Sequence, residues 1–330
     1  MEIVLTDPTS HQVDGAIHNL GDVIIKEAIV DNLQVASKRV RWIPLAGAGY
    51  HPEKPGSGCL VLAGANVLAN NPFFNPWVWK PSLGQCAARD YVVLCGVGWW
   101  QYQRRFGPLS RAFYRRVLLP TPVLHSVRDG YTAQMLGKSG LDNVLNTGCP
   151  TMWRLPERMS FGSLKPDRVV FTLTDYSQDP PNDRALVQFA LRTYDDVTFF
   201  PQGSGDVDYL RSLGVGPGAE RILFLDRTLA DYDDCLESGP VDYVGTRLHG
   251  GIRALQKGRR AFVLIVDNRA AEIARDTGLR CIPRSDLDRL TAGIHEDFEL
   301  SLRLDRSAVR RFLEAFERYV SEDASSIERR

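Results

Sequence analysis

The sequence predicts two doubly wound α/β domains with a ligand cleft between them and a C-terminal helix. Three observations lead there. At 330 residues the chain exceeds one ordinary core and suits two. Short apolar runs alternate with helix-period stretches from end to end, the signature of parallel sheets covered on both faces. A stretch without period, Gly148–Pro166, holds Pro150, Pro156 and Pro166 and divides the alternation in two.

The first domain is expected over residues 1–155. Its strands are Glu2–Leu5, Val40–Ile43, Cys59–Ala63, Tyr91–Cys95, Pro122–His125 and Val144–Asn146. Ile25, Ala28, Ile29 and Leu33 fall on one helical face, with Asp22 ahead of them as N-cap. Further helices fill Leu109–Leu118 and Gly130–Gly137. The second domain is expected over 156–300, with strands Arg168–Leu173, Val197–Phe200, Arg221–Leu223, Val241–Val244 and Ala261–Ile265. Its helices are Asn182–Tyr194, Val207–Leu213, Leu229–Glu237, Gly250–Lys257 and Ala270–Thr277. Residues 301–330 form a helix and a polar tail. Val309, Phe312, Leu313, Phe316 and Val320 recur at helical spacing, and Asp305 or Ser307 caps the start. This apolar face is expected to return to the first domain, and it is the one candidate for peripheral membrane contact.

Bulk charge narrows the partners. Lys+Arg and Asp+Glu both total 40, so the formal net charge is zero. That argues against nucleic acid, and any anion must be held by a local cluster of cations. No apolar run reaches the ~18 residues of a membrane span, and Met1–Leu5 lacks the basic start of a signal peptide. The six cysteines show no metal-ligand spacing and read as buried reduced thiols, so the expectation is a cytoplasmic protein without a metal site.

The most informative segment is Gly245-Thr246-Arg247-Leu248-His249-Gly250-Gly251, where a strand gives way to a helix. Backbone N–H groups at a helix amino end are unpaired and favour anions. Arg247 adds a fixed cation and His249 a proton donor. The glycines are expected to let a ligand approach the backbone. Two other strand ends are expected to face the same cleft: Ser126-Val127-Arg128-Asp129 and Gly96-Val97-Gly98-Trp99-Trp100. Trp99 reads either as a sugar-stacking ring or as core, and Asn66 as a site residue or a turn.

Three segments taken in order resemble the polysaccharide pyruvyl transferase family. They are Asn19-Leu20-Gly21-Asp22, then Ser126-Val127-Arg128-Asp129 leading to Thr147-Gly148-Cys149-Pro150, then Gly245-Thr246-Arg247-Leu248-His249-Gly250. Two departures fall in the half expected to hold the acceptor: His18 stands before Asn19 where the family has glycine, and Ala63-Gly64-Ala65-Asn66 replaces a glycine-rich triplet.

The resemblance implies a GT-B-like pair of Rossmann-like domains. It implies an enzyme that moves the enolpyruvyl part of phosphoenolpyruvate onto a sugar of an exopolysaccharide or other cell-surface glycan precursor, lipid-linked or free, as a ketal. Phosphoenolpyruvate is then a co-substrate, and no cofactor is needed. Donor contacts fall to Arg128, Arg247 and Leu248, and the acid to His249. Asp22, Asp129 or another carboxylate serves as base, with Asp22 ranked first. Asn19, Asn66 and Trp99 are assigned to the acceptor. Two other functions fit the same fold, a nucleotide-sugar glycosyltransferase and a non-catalytic anion or glycan binder, and the sequence leaves a homo-oligomer open.

Overall fold

A computed structural model describes residues 2–10, 12–13, 16–34, 40–45, 58–72, 79, 91–103, 105–119, 121, 123–162 and 164–327. The chain forms two compact units. One comprises Met1–His11, Ile25–Trp153 and Leu304–Arg330; the other comprises Gln12–Ile24 and Arg154–Arg303.

In the first unit β1 (Glu2–Asp7), β2 (Val40–Pro44), β3 (Gly58–Ala63) and β4 (Tyr91–Cys95) make a parallel sheet in the order β2-β1-β3-β4. A parallel pair, β5 (His125–Val127) and β6 (Val144–Asn146), follows β4, with the Gly96 N–H donating to the Ser126 carbonyl at 3.0 Å. The helices of this half are α1 (Leu20–Leu33), α2 (Pro108–Leu118) and α3 (Gly130–Gly137).

The second unit has six parallel strands: β7 (Arg168–Thr172), β8 (Asp196–Phe199), β9 (Ile222–Phe224), β10 (Asp242–Gly245), β11 (Ala261–Ile265) and β12 (Cys281–Pro283). Between and after them run α4 (Pro180–Thr193), α5 (Asp206–Ser212), α6 (Leu229–Glu237), α7 (Leu248–Gln256), α8 (Asn268–Thr277) and α9 (Leu287–His295). The order is β9-β8-β7-β10-β11-β12. The chain builds outward from β7 in one direction, then crosses to the other side at β10. Crevices at such a reversal, beyond the carboxyl ends of the strands, are where doubly wound sheets bind ligands.

The last helix, α10 (Arg306–Ile327), belongs to the first unit and starts at Asp305, whose carboxylate accepts the Ala308 N–H at 2.9 Å. Strand residues alternate between the two faces of the first sheet. Val4, Leu60, Leu62 and Leu94 pack with Tyr114, Leu118 and Leu136 of α2 and α3. Leu5, Val61 and Val93 pack with Ile25 and Ile29 of α1 and with Val309, Phe312 and Phe316 of α10. The apolar face of α10 is therefore core, and burying Phe312 contributes about 2–3 kcal/mol. Core packing is the role expected of this face ahead of a membrane contact.

Three local expectations also change. The strand expected at Pro122–His125 is His125–Val127. Asp22 is not the cap of α1; the helix starts two residues earlier and Asn19 caps it, its side-chain oxygen accepting the Gly21 N–H at 3.0 Å. The strand β12 and the helix α9 have no counterpart in the sequence reading.

Candidate functional site

At the carboxyl end of β10, Thr246 and Arg247 make the turn into α7. The turn is pinned from below. The Tyr243 hydroxyl donates to the Arg247 carbonyl at 2.6 Å, and the Tyr232 hydroxyl donates to the Gly250 carbonyl at 2.8 Å. The glycines serve this packing rather than a ligand. A Cβ on Gly245 would stand 2.7 Å from the Thr172 nitrogen. One on Gly250 would stand 2.8 Å from the Gln202 amide oxygen, and one on Gly251 3.0 Å from the Tyr243 ring. Small residues let α7 settle onto β10 and β11, which corrects the expectation of ligand clearance.

Arg247 is buried, 2% exposed. Its Nε–H donates to the Leu173 carbonyl at 2.9 Å and to Asp206 Oδ2 at 3.2 Å. Its Nη2 donates to Asp175 Oδ1 at 2.8 Å and also to Asp206 Oδ1. Asp206 is fixed in turn by the Gly203 N–H at 2.6 Å and the Asp175 N–H at 3.1 Å. Burial works against the guanidinium charge, and Asp206 and Asp175 outweigh it. Arg247 is thus an ion-paired residue held by two carboxylates, with Nη1 outside these bonds.

Around Arg247 lies a small recess, partly open to solvent. Successive strand ends supply its walls: Tyr176 beyond β7, Gln202 beyond β8, Arg247, Leu248 and His249 beyond β10, and Asp267 and Arg269 beyond β11. Asn19 completes it, because residues 12–24 dock on this unit. Leu20 N–H donates to the Gln202 carbonyl at 2.9 Å, and the Gln202 side-chain amide donates to Asn19 Oδ1 at 3.1 Å. Three helices aim their amino ends here. Asn19 caps α1, Asp267 caps α8 through the Arg269 N–H at 2.9 Å, and α7 begins at Leu248 with no side-chain cap. The amino end of α7 is therefore the open one, and it carries His249, which is 4% exposed.

Arg269 escaped the sequence reading. Its Nε–H donates to Asp267 Oδ2 at 2.7 Å, and Nη2 contacts the Tyr176 hydroxyl. Burial opposes its charge; Asp267, Tyr176 and Asp22 together outweigh burial and hold it protonated. The signal available was position alone: Arg269 is the second residue of the helix after β11, as His249 is of the helix after β10. Asp22 lies in the first turn of α1, half-buried and close enough to act on Arg269.

The other expected residues lie in the first unit. Arg128, 1% exposed, follows β5; its Nη2 donates to Asn66 Oδ1, and its Nε stands 3.6 Å from Asp129 Oδ2. Asn66 thus serves an arginine. Asp129 caps α3, accepting the Thr132 N–H at 2.7 Å. Trp99 is core and offers no face to a sugar: it is fully buried, its ring meets Phe106 edge-on at 5.1 Å, and its indole N–H donates to Gln103 at 2.7 Å. Among the described residues no cluster of three His, Cys, Asp or Glu could hold a metal ion.

The family model of the polysaccharide pyruvyl transferases matches residues 19–268. Comparison with curated proteins gives no match. Among solved structures the chain is similar to a UDP-GlcNAc 2-epimerase of Methanocaldococcus jannaschii, at 9% identity and a TM-score of 0.55, covering 95% of this chain and 98% of that one. It is also similar to a UDP-GlcNAc 2-epimerase of Neisseria meningitidis, at 11% identity and a TM-score of 0.41, covering 98% and 93%. The first likeness shows a GT-B-like α/β fold, in keeping with the parallel sheets of this chain, and nothing about substrate.

Proposed function

The chain belongs to the polysaccharide pyruvyl transferase family, and we propose that it transfers the enolpyruvyl group of phosphoenolpyruvate to a sugar diol as a pyruvate ketal. The observation that carries this reading is the pocket at the strand reversal. There the uncapped amino end of α7 meets Arg247, His249 and Arg269. Phosphoenolpyruvate is a small polyanion, and aligned N–H groups together with guanidinium donors suit its phosphate and carboxylate. Arg247 is already paired with Asp206 and Asp175, and Arg269 with Asp267, so in this reading the α7 amino end carries much of the anion and each guanidinium adds its remaining N–H groups.

The reaction needs one proton delivered and two removed. His249 protonates C3 of the enol, and positive charge develops at C2. A sugar hydroxyl adds at C2 and loses its proton to a base, for which Asp22 in the first turn of α1 is the candidate. Phosphate then leaves with its bridging oxygen, and a second hydroxyl of the sugar closes the ring and loses its proton. The guanidiniums stabilise the leaving phosphate, the kind of electrostatic help that acts mainly in the transition state.

Phosphate release from phosphoenolpyruvate, followed across a panel of free and lipid-linked sugar acceptors, tests the reading. The expected result is acceptor-dependent release, reduced about 10²–10⁴-fold in kcat by His249→Gln, as befits loss of a general acid. Arg269→Ala is expected to weaken phosphoenolpyruvate binding in calorimetry, with Arg128→Ala measured beside it as the donor residue the family resemblance implies. No donor binding and no release with any acceptor ends the proposal.

A further inference from the structure

Zero net charge conceals a local excess. Between Asp90 and Asp129 the chain has no acidic residue; Arg105 precedes α2, and Arg111, Arg115 and Arg116 lie on it. Arg105, Arg111, Arg115 and Arg116 are exposed, and none makes an ion pair among the described residues. Large apolar groups stand in their midst. Leu109 is 84% exposed, Leu119 43% and Tyr102 58%. The buried stripe of α2 is Ser110, Tyr114, Val117 and Leu118, so its outer face is Leu109, Ala112, Arg116 and Leu119 at three- and four-residue steps. A shallow groove runs along this face, lined by Ala112, Arg115, Arg116 and Leu119.

We propose that the outer face of α2 docks the protein on an anionic bilayer surface. Arginines meet lipid headgroups while leucines enter the boundary with the acyl chains, and a tyrosine suits the interface itself. The charge chooses this occupant over the other possibilities. A second copy of the same face would bring like charges together. A nucleic acid would meet the arginines but leave the leucines in water. No helix of the described residues is long and apolar enough to cross a membrane, so contact is in the plane of the surface. This proposal does not rest on the pyruvyl reading: vesicle binding requires neither phosphoenolpyruvate nor turnover.

The test is co-sedimentation of the full chain with phosphatidylcholine vesicles, with and without phosphatidylglycerol. Binding is expected only with phosphatidylglycerol and is expected to weaken as salt rises. Each arginine near an anionic surface is worth about fivefold in partition, so Arg115→Glu with Arg116→Glu should lower binding at least about 25-fold. Leu109→Ser with Leu119→Ser should also lower it, while leaving the salt dependence in place. Arg310→Glu with Arg311→Glu, on the exposed side of α10, should leave binding unchanged. Thermal melts confirm that each variant is folded. Any one of four results overturns the proposal: no vesicle binding by the parent, equal binding to neutral vesicles, an Arg115/Arg116 variant that binds like the parent, or retention of duplex DNA or RNA in place of vesicles.

Discussion

Two arginines, Arg128 and Arg247, stand at two strand-to-helix junctions and are held differently. Arg128 follows β5, donates to the amide oxygen of Asn66 and stands 3.6 Å from Asp129, the aspartate that caps its helix. Arg247 follows β10, is clamped by Asp206 and Asp175 and precedes a helix without a side-chain cap. At the first junction Asp129 consumes the helix's amino end. At the second the acids hold the arginine instead, and no side chain caps the helix. A similar pattern of residues thus produces a sealed junction in one unit and an open one in the other. The proposed anion site uses the uncapped one.

The largest expected effect follows from the clamp. Removing Arg247 strands Asp206, which is fully buried, beside Asp175. Breaking a buried ion pair from one side costs about 3–5 kcal/mol; Arg247 meets two carboxylates in direct hydrogen bonds, whereas Arg128 meets one at 3.6 Å, which keeps the Thr132 N–H when the arginine is gone. Arg247→Met should therefore lower the unfolding free energy in urea well below that of Arg128→Met. Equal losses would break the contrast between the junctions. Arg247→Met together with Asp206→Asn should recover part of the loss, because the stranded charge goes with it.

The sequence shows the open junction's chemistry but not its wiring. Strand–helix alternation is legible because apolar runs are local, and the fold follows from it. Arg247 and His249 are legible because they are adjacent in sequence at a strand end. Asp206 and Asp175 are not: one opens a helix and the other follows a strand, and nothing joins them to Arg247 until β7, β8 and β10 lie side by side, about 30 and 70 residues apart along the chain. Tyr176, Gln202 and Arg269 are hidden for the same reason. Trp99 misled because an aromatic after a strand reads alike whether it faces solvent or the core; Phe106 and Tyr114, which enclose it, come from the segment that follows. The strand β12 and helix α9 were missed because three residues carry too little alternation, and Leu287–His295 has few apolar positions.

The histidines sharpen the comparison further. His125 opens β5, three residues before Arg128, and is fully buried. Its Nδ1 accepts the Leu94 N–H at 3.3 Å, so Nε2 bears the proton and donates to the Leu118 carbonyl at 3.1 Å. Burial disfavours the charged ring and outweighs the help of the Leu118 carbonyl, bringing the pKa down to about 4 from 6.5. The unfolded chain therefore binds a proton at higher pH than the folded one. The stability this residue contributes is complete above pH 6.5, declines as pH falls and is gone below about 4, a loss of about 3 kcal/mol. Gln in its place offers an oxygen to Leu94 and an N–H to Leu118, so His125→Gln should flatten the stability profile across that range. Urea melts at pH 7.5 and 4.5 measure it, and an unchanged slope would show that other groups carry the acid sensitivity of this unit.

The smallest expected effect probes how firmly each arginine is seated. Both are covered by a glycine. A Cβ on Gly98 would overlap Arg128 Nε and Asn66 Oδ1, and one on Gly203 would overlap Arg247 Nη2 and stand 2.9 Å from Asp206 Oδ1. Overpacking costs about 1–3 kcal/mol, according to how well the neighbour yields. Arg128 has one amide and one carboxylate at 3.6 Å to leave, but Arg247 must leave two carboxylates that it bonds directly. Gly203→Ala should therefore fall at the upper end and Gly98→Ala at the lower, in paired urea melts. Only Gly203→Ala should also weaken phosphoenolpyruvate binding, because it disturbs the residue beside the open helix end. If the two alanines cost the same and neither alters binding, the carboxylates hold Arg247 no more firmly than Asn66 and Asp129 hold Arg128, and the clamp has no part in shaping the pocket.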